Sequence, residues 1–369
     1  MPDTITLQLE ALDTLFFKDG KPFSLGEDTW ADGIFPPPPS VLYGALRTAT
    51  MSGELGSEAL SSAVANTSSL SITFIAYFID GNECFPIPAD VVESKDKTSN
   101  VDLLEADKKR YEVIALPIQK LQVGVVSSHN NAGLAVFPRY SEENQDVLES
   151  VSQGFLPRAD IEAYLREDTH KLQAIKLSDF LVSEAKIGIK RNRATKSTGD
   201  DGGELYRVGM NRAKSFSIIV SYHMQNGHDQ TSPLIRLGAE GKVAKGDLHM
   251  RRTWKGPQGL SSKRIKLYLS TPCAFEGDYL EPEKIDLLRG RGLKLVGLST
   301  GKPVKLGGFD MELGKPKPML SVYPVGSVFY FESQESITLD ELQGKSIAST
   351  INEVNYADQG FGLAYFGIW

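Results

Sequence analysis

The chain has 369 residues, 41% of them apolar, two cysteines and a formal net charge of −7, with an isoelectric point near 5.4. That length suffices for two domains of ordinary size. No apolar run reaches the ~18 residues of a membrane span, and two cysteines make neither a disulfide framework nor a four-ligand zinc site.

Residues 4 to 17 alternate as a strand, and a turn follows at Lys18-Asp19-Gly20. The opening MPDTITLQLEALDTLFF lacks the basic and apolar regions of a secretory leader, so a reducing cytoplasm is the expected compartment and no membrane partner is expected. Pro36 to Pro39 fix φ near −65° and form a stiff, extended lead-in. Ser40 is a good N-cap, and Val41, Leu42, Ala45, Leu46 and Ala49 fall on one stripe of a helix over 40–51, with Tyr43, Arg47 and Thr50 turned away. Gly44 costs about 1 kcal/mol against Ala inside a helix. Either a sheet packs tightly there, or a ligand approaches the backbone with Arg47 as a nearby cation.

SITFIAYFID at 71–80 is apolar on both faces, as in a central strand covered on both sides. Residues 93–111 are polar and read as a loop. The stretch 141–180 is acidic, net −6 over 141–168, and reads as a helical insertion, SEENQDVLESV and ADIEAYLRE being its clearest helices. Around 185–215 two alternating runs flank ATKSTGDDGG, which predicts a long basic β-hairpin with a polar tip. SFSIIVSYH opens a second set of strands, continued by KRIKLYLSTP, LKLVGLS, MLSVYPVGSVFYFE and FGLAYFGIW, with helices expected at 282–289 and 338–349. Strands mixed with a few helices predict an α+β fold, its two halves 1–210 and 211–369.

The positive charge is gathered after residue 185. The windows 186–214, 235–266 and 288–317 carry net charges of +5, +7 and +5, which is the footprint of a polyanion-binding face on an acidic body. None of the five histidines forms a paired metal-binding or hydrolase motif. Gly297 to Pro303 is one residue short of a phosphate-binding loop, with proline where a hydroxyl is required, and Gly290-Arg-Gly292 misses the dinucleotide fingerprint. No cofactor, metal ligand or catalytic residue is expected. In TGKPVKLGGFDMELGKPKP, 300–318, glycines alternate with lysines, a pattern suited to cradling a phosphodiester chain. In DLHMRRTWKGPQG, 247–259, Trp254 among Arg251 and Arg252 is either a stacking platform for an unpaired base or a packing residue.

The stretch LDTLFFKDGKPFSLGEDTWADGIFPPPPSVLYGALRTA, 12–49, resembles the N-terminal signature of a CRISPR-associated RAMP family, that of the third subunit of type III-B Cmr effector complexes. Shorter similar stretches follow in order at 185–206, 235–244, 306–331 and 360–369. In IRLGAEGKVA, Ala239 and Lys242 stand where Gly and Arg are expected. The resemblance implies two ferredoxin-like, RRM-type domains and a protruding hairpin thumb. It implies a subunit gripping the crRNA 5′ handle beside the large cyclase-type subunit and touching the backbone subunits, with target RNA nearby in the assembled complex. Residues and resemblance together nominate Lys18, Lys21, Gly44, Arg47, Lys190, Arg191, Arg193, Lys196, Arg207, Arg236, Lys242, Arg251, Arg252, Trp254, Lys302, Lys305, Gly307 and Gly308 as RNA contacts. Two alternatives stay open: a RAMP endoribonuclease processing precursor crRNA through Tyr43 and Lys21, and a scaffold whose basic windows meet acidic proteins.

Overall fold

The computed structural model describes residues 4–18, 30–31, 33–51, 70–94, 110–120, 136–138, 147–189, 205–224, 233–249, 253–275, 280–310 and 315–369. Two antiparallel sheets carry the α+β fold. The first has eleven strands, in the order Leu234–Arg236, Val243–Leu248, Thr4–Ala11, Phe216–His223, Ser71–Ile79, Asn82–Pro86, Gly154–Pro157, Lys171–Lys176, Tyr111–Ala115, Val91–Ser94 and Leu148–Ser150. The second has five: Lys294–Ser299, Val328–Thr338, Ser261–Leu269, Leu363–Ile368 and Lys345–Ser346.

A division of the chain at 210 is not where the sheets part. The strands 216–223, 234–236 and 243–248 all belong to the first sheet, and the second begins at Ser261. Thr4–Ala11 pairs with Phe216–His223 from Thr4 opposite His223 to Glu10 opposite Ser217, so the middle of the first sheet closes only when the chain returns.

Helix α1, Pro39–Met51, covers one face of the first sheet. Its predicted stripe is buried at Leu42, Ala45, Leu46 and Ala49, while Thr50, expected to point away, is also buried, its hydroxyl donating to the Arg47 carbonyl. Strand 71–79 is central, as its two apolar faces predict. Its alternation is broken by a bulge: Tyr222 faces Ile72 while Ser221 faces Phe74, which puts Ile72 on the face of Ile75, Tyr77 and Ile79 and sends Phe74 and Ala76 to the other.

The opposite face of the first sheet packs on helix α2, Arg158–Arg166, and on the second sheet. Over its described residues, 147–180, the acidic stretch is therefore not a helical insertion. ADIEAYLRE does form α2, but the described end of SEENQDVLESV is the strand Leu148–Ser150, and 154–157 and 171–176 are strands of the large sheet. The helices expected at 282–289 and 338–349 do not form either. Pro282–Lys284 makes one 3-10 turn before Gly290 and Gly292 take positive φ, and only a short turn fits between the strand ending at Thr338 and Gly344, also at positive φ.

The seam between the sheets is fixed by a buried polar cluster and by glycines. Asp90 accepts hydrogen bonds from the hydroxyls of Tyr164 and Tyr330, and burial raises its pKa. Lys266, 3% exposed, donates to Glu167 at 2.6 Å and lies over the Tyr164 ring. A Cβ on Gly326 would stand 2.4 Å from the Ile87 carbonyl oxygen, and one on Gly367 would stand 2.3 Å from that of Leu165, so only glycine lets the halves approach this closely.

The predicted hairpin is present as backbone: Leu181–Ile189 pairs with Leu205–Ala213, which also pairs in parallel with Trp30–Ala31. Its tip, 190–204, lies outside the described residues.

Candidate nucleic-acid interface

The glycine–lysine run forms a second ribbon, Val304–Leu306 against Leu320–Val322, with Lys302 and Lys305 exposed. Gly307 and Gly308 sit just beyond its first strand, and the Gly308 carbonyl accepts from the Lys317 N–H at 2.9 Å. Among the described residues a Cβ at Gly308 would meet only the Lys317 side chain, at 3.6 Å, so their packing does not require glycine there.

Gly307, Gly308 and Lys317 form one wall of a cleft of about 210 Å³. Lys18, Pro38 and residues of the first turn of α1, Ser40 and Val41, also line it, as do Tyr356 and Gln359. The fold thus brings together residues about 290 positions apart, joining the proline lead-in to the glycine loop. Among the described residues the lining holds three titratable groups, Lys18, Lys317 and Tyr356, and burial raises the Tyr356 pKa.

Gly44 lies four residues beyond Ser40, on the same side of α1. It is exposed, and among the described residues a Cβ built there meets nothing within 4 Å. Tight packing on the sheet is therefore not the reason for this glycine. Arg47 is half-buried beside Tyr43, whose pKa burial raises, with Arg47 opposing and Asp358 adding to the shift.

Segment 13–18 stitches the cleft to the hairpin. Leu15 exchanges backbone hydrogen bonds with Asn211, the Phe16 carbonyl accepts from Ala239, Phe17 accepts from Ile34, and Lys18 bridges to Gly33. Arg207 is exposed on the hairpin, opposite Ile187, and Arg236 is exposed on an edge strand of the first sheet.

Two nominated residues serve the fold instead. Trp254 is 3% exposed, stacked on Tyr365 at 4.6 Å between centroids and tilted against Phe85 at 4.9 Å; it is core, packed in the cluster that residues of both sheets share. Lys242 donates to Asp13 at 2.6 Å, and that hydrogen bond holds the Asp13 pKa down to about 2. Arg212 bridges Asp13 and Glu184 in the same cluster, so the cation of Lys242 is already matched. In the adjoining turn, a Cβ on Gly238 would lie 2.6 Å from the Phe16 carbonyl oxygen, so this close approach is to the chain's own backbone.

Lys21, Lys190, Arg191, Arg193, Lys196, Arg251 and Arg252 lie outside the described residues. Lys317, Tyr356 and Gln359 were not nominated. Lys317 stood in the glycine–lysine run, while Tyr356 and Gln359, in a segment of turns, carried no signal. Among the described residues no group of three or more His, Cys, Asp or Glu could hold an ion, and no helix is long and apolar enough to cross a membrane.

The model of a family described as CRISPR-associated protein (Cas_Cmr3) matches residues 7–369. No protein with a curated description matches. Among solved structures, a chain of the type III-B Cmr-beta bound to cognate target RNA and AMPPnP is 15% identical, with 88% of this chain and 86% of that one covered and a TM-score of 0.46. The type III-B Cmr-beta bound to cognate target RNA gives 17%, 88%, 86% and 0.45. A chain of the Csm3-Csm4 subcomplex of the type III-A CRISPR-Cas interference complex gives 13%, 90%, 98% and 0.37.

Proposed function

Since the chain belongs to the Cas_Cmr3 family of CRISPR-associated proteins, we propose that it is a non-catalytic, cytoplasmic RNA-binding subunit of a type III-B Cmr effector complex. In this reading it is built on two RRM-type units and holds the 5′ handle of the crRNA beside the large cyclase-type subunit, while the hairpin tip works where guide and target RNA begin to pair. One observation carries the reading. Lys18, the start of α1 and the Gly307–Gly308 loop, singled out separately in the sequence, line one cleft with Lys317. Cations beside unhindered glycine backbone suit a sugar–phosphate chain, and the exposed side of α1 through Gly44 extends that track.

The endoribonuclease reading draws less support. Cleavage through a 2′-hydroxyl needs a base with a pKa near the working pH. Burial moves Tyr43 and Tyr356 further from it. His223 is bonded to Thr4 and His249 to Gln8, both on the first sheet away from the cleft lining.

The test is recovery of RNA with the chain purified from assembled complex. A small RNA with one fixed 5′ end, bound with an affinity that falls steeply with salt, is the expected result. RNA without a common 5′ end, or a flat salt dependence, would remove the handle-binding role.

A further inference from the structure

Next to the cleft, and sharing Ile34, Pro38 and Leu306 with it, a second cavity of about 340 Å³ runs beneath Pro36 to Pro39. Its size lies at the lower end of ligand pockets, roughly 300–1,000 Å³. The walls are apolar, drawn from the proline run, from Phe155 of the first sheet and from Val304 and Val325 of the second half. The hydroxyls of Ser270 and Thr271 reach it but are engaged, donating to the carbonyls of Leu363 and Gly360 at 3.0 and 2.9 Å.

Tyr77 differs from them. It is 6% exposed, its ring packs against Phe155 and Phe216 at 5.1 and 5.9 Å, and its hydroxyl makes no hydrogen bond among the described residues. It lines the cavity, and burial raises its pKa, so it remains a donor. On the rim, Gln153 is exposed and brings an amide with one donor and one acceptor edge.

We propose that this cavity receives one unstacked nucleobase of the bound RNA, read by Tyr77 and Gln153, while the strand's phosphate lies in the adjoining cleft at Lys18 and Lys317. The inference rests on the RNA-binding reading above. A nucleotide combines a flat apolar ring bearing hydrogen-bonding edges with an anionic group beside it, and the two adjoining cavities offer that pair of environments. An apolar side chain of a partner protein would fill the walls but leave the Tyr77 hydroxyl unmatched and the cationic cleft unused.

The experiment uses the full chain and the small RNA recovered with it, resynthesised with one abasic nucleotide at each position in turn. At a single position the abasic change weakens wild-type binding about tenfold. In Val325→Phe, which fills the cavity from an exposed site, that position loses its special penalty. Tyr77→Phe keeps the ring and the stability and narrows the preference among the four bases at that position. A penalty spread evenly along the RNA, or a penalty at one position that survives Val325→Phe, overturns the base pocket while leaving RNA binding intact. A partner-protein contact that Val325→Phe abolishes, with the abasic profile flat, assigns the cavity to a protein anchor instead. Recovery of no RNA at all overturns both the pocket and the reading beneath it.

Discussion

Replacing Gly44 by alanine separates the fold's interest in that residue from the ligand's. The position is interior to α1, exposed, and among the described residues open for at least 4 Å around a new Cβ. Alanine there gains the helix-propensity difference, about 1 kcal/mol, without a clash. With an unfolding entropy of about 2 cal/mol/K per residue, a cooperative chain of this length shifts its melting temperature by only about 1 °C, so a urea midpoint is the better readout. In complex with RNA the sign reverses. If the strand lies on the bare side of α1, the added methyl costs about 1 kcal/mol or more of crowding, an affinity loss of about fivefold or more. Gly44→Gln extends the loss, since its longer side chain also lies over that surface. Urea titration and RNA binding on the same preparations give the two numbers. Greater stability with RNA affinity unchanged in both variants would refute the RNA track along α1, and lower stability in Gly44→Ala would refute the open-space argument.

The two lysines read differently in the sequence and structure also differ in solution: Lys305→Ala lowers the slope of log affinity against log salt by about 1, whereas Lys242→Ala leaves that slope unchanged and lowers stability. Trp254→Ala destabilises the chain by about 3–5 kcal/mol in urea titration, while Trp254→Phe binds RNA as wild type does; a large loss of affinity in a stably folded Trp254→Phe would return the ring to the RNA. Tyr330→Phe costs about 1–3 kcal/mol at the Asp90 cluster, and a double-mutant cycle with Asp90→Asn shows coupling above about 0.5 kcal/mol; additive effects would mean that the cluster does not act as a unit. The Asp13 carboxyl is held below its ordinary value, so its contribution is complete above pH 4, roughly, and is lost as pH falls toward about 2; Asp13→Asn flattens that acid limb of a thermal-melt profile, and an unaltered limb would show the ion pair to be inconsequential.

Local pattern was legible where one element settles its own environment. The stripe on α1, the two apolar faces of 71–79 and the alternation in the hairpin each follow from side chains a few positions apart. The division of the chain was not, because the place of 216–248 in the first sheet depends on pairing with Thr4–Ala11, a register that neither segment displays alone. Gly307 and Gly308 could be picked from the sequence as unhindered backbone beside cations, and they do line the cleft. Lys242 and Trp254 could not be sorted the same way: a cation's partner and a ring's neighbours come from distant segments, here Asp13 and Tyr365.

The pairing of Thr6 with Ser221, 215 positions apart, also sets a schedule for synthesis. At roughly 5–20 residues per second on the ribosome, Thr4–Ala11 waits some 10–40 s before Phe216–His223 exists to flank it. Until then an alternating apolar strand has an open edge, the configuration that invites association with other nascent chains. Its later neighbour Val243–Leu248 comes still later, so neither side of the strand is protected early. Yield of this protein should therefore depend on chaperone supply and on translation rate through the first two hundred residues more than on the stability of the finished fold.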